Sequence, residues 1–261
     1  MAHALRLDSA EETAAPMIRR IGLADLRDAL AAGIEDFLET PTQLIFLCVL
    51  YPLVGLVAAR VMSGGELLPL LWPLVAGLSL VGPVAAVGLY EISRRREQGL
   101  PASWLNAFDV LRSPAFPSIA GVGLLLAIIF IAWLFAARAI YDATIGTPPA
   151  GLGDLLRLAF TTSEGHRLIL LGNGVGALFA ILVLALTVVS VPMLLDRNVP
   201  LAEAIRTSLR VCAANPGPMA VWGVIVAVLL LLGMLPAFIG LAIAMPVLGH
   251  ATWHLYRRCV A

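Results

Sequence analysis

The sequence contains no lysine, and charged residues of either sign fill only 13% of its 261 positions, about half the share usual in a soluble domain. Its 17 basic residues are all arginine, they are balanced by 17 carboxylates, and no basic block is longer than Arg94, Arg95 and Arg96. A neutral chain without a basic patch has nothing with which to neutralise a phosphate backbone, which excludes nucleic acid as a partner. Cysteine is equally scarce: Cys48, Cys212 and Cys259 lie far apart with no C-x-x-C pair, so neither a disulfide framework nor a thiolate metal site is expected. The first 40 residues carry eight carboxylates and four arginines, without the basic start and short apolar core of a cleaved leader. Residues 1–20 read as a flexible tail. No H-E-x-x-H pair, phosphate loop or nucleophile-base-acid set occurs, so no residue is assigned a catalytic role.

What the chain does have is apolar length. Hydrophobic residues reach 60%, and a helix needs about 20 of them in a row to cross a hydrocarbon core. Runs free of Asp, Glu and Arg cover Thr40 to Ala59, Leu67 to Tyr90, Ser113 to Ala137, Leu168 to Leu195 and Val211 to Tyr256. The last is too long for one crossing and is interrupted by the turn-forming "GMLP" at Gly233 to Pro236. Six spans follow, at about 41–61, 67–92, 115–138, 168–195, 217–234 and 236–257, in a single membrane domain of residues 21–258. With both termini on one side, the connections on that side hold thirteen arginines and the opposite ones four. Basic residues near span ends stay cytoplasmic, so both termini are expected there.

A repeat is superimposed on the spans. Without gaps, Pro73, Gly77, Leu78, Pro83, Val84, Arg94 and Arg95 align with Pro236, Gly240, Leu241, Pro246, Val247, Arg257 and Arg258. Ahead of each odd-numbered span lies an apolar stripe at helical spacing: Leu23, Leu26, Leu30, Ile34, Phe37 and Leu38; Trp104, Leu105, Phe108 and Leu111; Leu201, Ile205, Leu209 and Cys212. These predict amphipathic interfacial helices at about 23–38, 101–112 and 200–213. Each ends at a proline after a small polar residue, Thr40-Pro41, Ser113-Pro114 or Asn215-Pro216, which takes the chain out of helix before it enters the bilayer. The expected fold is therefore all-α and integral to the membrane, with three units of interfacial helix plus transmembrane hairpin.

The segments "LVGPVAAVGLYEISRRREQG", "SWLNAFDVLRSP", "NPGPMAVWG" and "LGHATWHLYR" carry a resemblance. From about Ile18 to Arg258 the chain resembles the bacterial membrane-protein family catalogued as domain of unknown function 2189. That resemblance implies a multi-span protein of the bacterial inner membrane and transfers no catalytic residue. Some relatives carry the label of a cytochrome c oxidase subunit.

Four residues are candidate sites. His250 and His254 lie one turn apart on a single helical face, a spacing that can bring two imidazoles to one metal or serve a haem; the alternative is a pair of polar anchors beside Trp253, Tyr256 and the terminal arginines. Glu91 aligns with His254 in the repeat, and either faces it across the bundle or pairs with Arg94 or Arg95 one turn on. Asn173, an amide amid apolar residues, either bridges helices or lines a path; Gly172 and Gly176 beside it form a small face for helix packing. Asp25, Asp28, Glu35 and Asp36 are expected on the outward polar face of the first amphipathic helix, suiting a basic protein partner. At the opposite end "TTSEGHR", Thr161 to Arg167, with Arg138 and Asp142, is expected to form a polar rim. The reading is a non-enzymatic structural or accessory component that contacts lipid, a larger membrane complex or further copies of itself. A small-solute transporter and a haem- or metal-binding respiratory subunit are the alternatives.

Overall fold

The computed structural model describes residues 16–40, 42, 65–78, 80, 82–197, 199–235 and 238–261. The expected first span at 41–61, the tail before residue 16, Cys48 and the Pro236 turn lie outside the described residues. Everything regular within them is helical: α1 (Leu23–Glu39), a 3-10 helix (Gly65–Leu70), α2 (Leu71–Leu78), α3 (Gly82–Ala85), α4 (Val87–Glu97), a second 3-10 helix (Trp104–Arg112), α5 (Phe116–Thr144), α6 (Leu152–Thr161), α7 (Ser163–Thr187), α8 (Ser190–Arg197), α9 (Leu201–Ala214), α10 (Pro216–Met234) and α11 (Leu241–Cys259).

Among the described residues three helical stretches are long and apolar enough to cross a membrane: α5, α7 with α8, and α10. They fall where spans 115–138, 168–195 and 217–234 are expected. Their outward faces carry Leu124, Ile128, Ile131 and Phe135 on α5, Leu170, Leu178 and Ile181 on α7, and Val224, Val228 and Leu231 on α10. That much exposed aliphatic surface calls for lipid rather than water.

The stretch 67–92 is not one helix. Pro69 sits inside the first 3-10 turn, α2 ends at Leu78, and Pro83 lies in the one-turn α3 before α4 begins at Val87. Proline removes a backbone donor and its ring strikes the carbonyl four residues back, so a proline-rich run fragments. The same effect separates α7 from α8. Pro192 stands four residues beyond Val188, at the break, and the Val189 N–H donates to Ser208 Oγ of α9 at 3.3 Å.

The expected second amphipathic helix takes 3-10 rather than α form. Ser103 opens it with a reciprocal cap, its N–H donating to Asn106 Oδ1 at 2.9 Å. At three residues per turn, residues three apart eclipse one another. Leu105, Phe108 and Leu111 consequently form one exposed edge, while Ala107 and Val110 turn inward.

Each amphipathic element rests on a different part of the helical assembly. α1 packs on α11, the 3-10 helix Trp104–Arg112 on α4, and α9 on α7 and α8. The contacts are close because small residues face one another: a Cβ on Gly33 would lie 2.5 Å from the Ala251 nitrogen, and one on Gly88 would lie 2.7 Å from Ala107 Cβ. In α9, Ser208 Oγ donates to the Ala185 carbonyl at 2.7 Å. The ends of α4, α8 and α11 also meet one another, and their meeting point is the core, with Ile92, Met193, Leu194, Trp253, Leu255 and Tyr256 essentially inaccessible. The chain ends close this hub: Ile18 pairs antiparallel with Val260, and the Arg19 N–H donates to the Cys259 carbonyl at 2.9 Å.

Candidate functional site

The face of α1 turned toward the hub is Leu26, Ala29, Gly33 and Asp36, positions three or four apart and therefore on one side of a helix. Asp36 is 5% exposed, which corrects its expected place on an outward polar face. Asp25 and Asp28, nearer the surface, approach Arg258 at 3.8 and 4.0 Å.

A buried carboxylate must be paired and hydrogen-bonded. Asp36 Oδ2 accepts from Ser93 Oγ at 2.5 Å and from His254 Nε2 at 2.9 Å, and Oδ1 accepts from Arg96 Nε at 2.7 Å. α1 is thus tied to α4 through Ser93 and Arg96 and to α11 through His254. Burial pushes the Asp36 carboxyl up, but the hydrogen bonds from His254 and Ser93, the charge of His254 and the Arg96 bond more than offset it and hold the group at about 2.

Ser93 also lies 2.8 Å from His250 Nδ1. An ionised carboxylate only accepts, so the single Ser93 hydroxyl hydrogen goes to Asp36, and the Ser93 oxygen accepts from His250 Nδ1–H. His250 Nε2 then carries a lone pair. It is buried in a side chain of 0% exposure and has no hydrogen-bond partner. Ser, His and Asp side chains thus converge, but not as a hydrolytic triad: the hydroxyl is inaccessible and already donates to the acid.

A second polar set joins α4, α8 and α11. Glu97 of α4 accepts from Trp253 Nε1 at 3.0 Å and from Arg257 Nε at 2.9 Å, both on α11. Asp196 of α8 accepts from the Tyr256 hydroxyl at 2.6 Å and from Arg257 at 3.2 Å. Arg95 reaches from α4 to Asp109 of the 3-10 helix at 3.1 Å.

The sequence-derived candidates are distributed as follows. His250 and His254 both enter the Asp36 cluster. Neither ring sits at a surface as a simple anchor: His250 is sealed and His254 is engaged with α1. Among the described residues no group of three or more His, Cys, Asp and Glu side chains is arranged to hold a metal ion. Glu91, nearly buried, accepts from Arg94 at 2.8 and 3.0 Å and from Arg95 at 3.0 Å on its own helix, and it shares no hydrogen bond with His254. Asn173 faces outward from α7, its amide donating to the Ile169 carbonyl of the same helix at 2.8 Å. Of the two glycines beside it, Gly176 packs against the Trp133 ring while Gly172 faces open space.

At the opposite end, "TTSEGHR" forms a helix junction. Thr162 Oγ1 accepts from the Gly165 N–H at 3.0 Å and caps α7, and Arg167 pairs with Glu164. Arg138 pairs with Asp142 at 2.9 Å beside a cleft of about 190 Å³ that Pro69, Tyr141 and Pro148 also line.

Asp36, Ser93 and Arg96 are the residues that local sequence reasoning missed as site members. A signal existed for Asp36 alone, since it continues the Leu26, Ala29, Gly33 periodicity; no spacing connects it to residues 57 and 218 positions away. No curated protein and no solved structure matches the chain. Residues 71–196, just under half of the chain from the start of α2 to Asp196, match the family described as "Predicted integral membrane protein (DUF2189)", the family that the sequence resembles.

Proposed function

We propose that this is a six-span protein of the bacterial inner membrane, built as three interfacial-helix-plus-hairpin units, with both termini cytoplasmic and a structural or accessory role at the lipid surface rather than an enzymatic one. Support for the three units comes from how they interlock. The returning helix of the first unit, α4, holds the 3-10 helix of the second; α7 and α8 of the second hold α9 of the third; α11 of the third holds α1 of the first. In the repeat alignment Gly88 corresponds to Ala251, and each receives the small residue of the element it holds, Ala107 or Gly33. Arg95 corresponds to Arg258, and each reaches acids of that same element, Asp109 or Asp25 and Asp28. Among the described residues these contacts form a closed cycle, and α4, α8 and α11 meet at a core of buried side chains.

One observation carries the functional reading. The 3-10 helix is anchored on α4 by its Ala107 and Val110 side, and it leaves Trp104, at its start, and Leu105, Phe108 and Leu111, along its outer edge, 49% to 62% exposed. The stripe runs through the Ser113-Pro114 elbow into Phe116, also exposed, at the start of a lipid-facing span. Such an element belongs at the boundary between headgroups and acyl chains. Lipids brominated at shallow or deep acyl positions test this. Trp104 emission, taken as the difference between the wild type and Trp104→Phe, is expected to be quenched by shallow bromines in phosphatidylcholine bilayers. Quenching by neither position would remove the helix from the membrane surface and the reading with it.

A further inference from the structure

The arginines at the two ends of the molecule are not used alike. On the side of α6, the described arginines each pair with a carboxylate within one helical turn: Arg138 with Asp142, Arg157 with Asp154 and Arg167 with Glu164. On the side of the hub, Arg95, Arg96, Arg257 and Arg258 are drawn into inter-helix ion pairs, while Arg94 pairs with Glu91 on its own helix. Four described arginines remain exposed and make no side-chain hydrogen bond or ion pair: Arg19, Arg20, Arg112 and Arg210.

Their placement is not scattered. Arg112 follows the exposed Leu111 at the end of the 3-10 helix, and Arg210 follows the exposed Leu209 near the end of α9, each just before the proline elbow that leads into a span. Arg19 and Arg20 belong to this second elbow as well. The Asn215 side-chain amide donates to both the Arg19 and the Val211 carbonyls at 3.1 Å, and Asn215 Oδ1 accepts from the Ile21 N–H at 2.9 Å. The N-terminal segment is thereby bonded onto the end of α9, and three unpaired guanidinium-bearing residues gather where α10 enters the apolar layer.

We propose that the Asn215-Pro216 elbow, with Arg19, Arg20 and Arg210, and the Ser113-Pro114 elbow, with Arg112, are docking sites for anionic phospholipid headgroups. The chemistry is complementary on two counts. A guanidinium presents paired donors to a phosphate diester, and the neighbouring exposed leucine continues the lipid-facing surface along which the acyl chains of the same molecule lie. Net charge separates this occupant from a zwitterionic lipid: an unpaired arginine at the surface favours an anionic headgroup about fivefold, whereas the neutralised arginines on the α6 side offer no such preference. The inference rests on the membrane-surface placement proposed above and adds lipid selectivity to it.

The test uses the full-length protein in nanodiscs of mixed phosphatidylglycerol and phosphatidylcholine, followed by delipidation in mild detergent and native mass spectrometry of retained lipid. Preferential retention of phosphatidylglycerol is expected, falling about fivefold in Arg210→Gln and in Arg112→Gln and remaining unchanged in Arg157→Gln. High salt applied to the unaltered protein is expected to reduce retention without any question of misfolding. Equal retention of the two lipids by the wild type, or an equal loss in Arg157→Gln, would overturn the proposal. Trp104 quenching in pure phosphatidylcholine is independent of headgroup charge, so shallow quenching without lipid preference would sink the selectivity and leave the surface placement standing.

Discussion

Replacing Asp36 by asparagine keeps the side-chain shape and removes the charge on which three elements converge. In the folded protein the carboxyl is held at about 2 against 3.8 for the free group. A gap of nearly two units corresponds to about 2.5 kcal/mol of stability at neutral pH. Leaving Arg96 and His254 facing an uncharged, buried amide adds to the loss, toward the 3–5 kcal/mol or so seen when one partner of a buried pair is removed. For a chain of this size the lower figure amounts to a fall of roughly 5–10 °C in apparent melting temperature. The assay is thermal unfolding in a fixed detergent, followed by tryptophan emission, because Trp222 and Trp253 are fully buried. The pH dependence is the sharper check. The folded carboxyl titrates below the unfolded one, so its stabilisation is complete above about pH 4 and disappears as pH falls toward 2. The difference between wild type and Asp36→Asn should therefore be constant from neutrality down to about pH 4 and shrink below it. A variant that melts with the wild type at neutral pH, or a difference that does not change on acidification, would refute the description of Asp36 as the ionised tie of α1 to α4 and α11.

Gly33→Leu is expected to push α1 off α11, since even a Cβ at this position would lie 2.5 Å from backbone; overpacking of this kind costs about 1–3 kcal/mol, and protease cleavage within α1 should accelerate while the spans stay intact. Asn215→Ala leaves the Ile21 N–H without its acceptor and is expected to cost about 1–3 kcal/mol, read as faster amide exchange over residues 17–22; unchanged protection there would show that Asn215 does not hold the N-terminal segment.

The division between what was legible in the sequence and what was not follows the range of each interaction. Membrane insertion is a sum over neighbouring residues, so the apolar runs that become α5, α7 with α8, and α10 could be read directly, as could the elbow at Asn215-Pro216. Local periodicity was less reliable where two helical forms compete. The Trp104 to Leu111 stripe suits a period of 3.6 or of 3, and the Ser103 cap together with the close seat of Ala107 against Gly88 accompanies the tighter form.

The sequence by itself determined that this chain carries apolar stretches long enough to cross a membrane, that proline elbows stand ahead of α5 and α10, and where along the chain its arginines fall. Hydropathy, ring closure and charge act on a residue and its immediate neighbours, and they need no fold to be evaluated. Only the tertiary structure decided that Asp36 turns inward, that His250 and His254 meet it through Ser93 and directly, and that four of the described arginines are left without partners while the other described ones are paired. Those outcomes depend on which helix packs against which. That choice was made by small residues meeting across long sequence separations, Gly33 on Ala251 and Gly88 on Ala107, and no local pattern records the pairing.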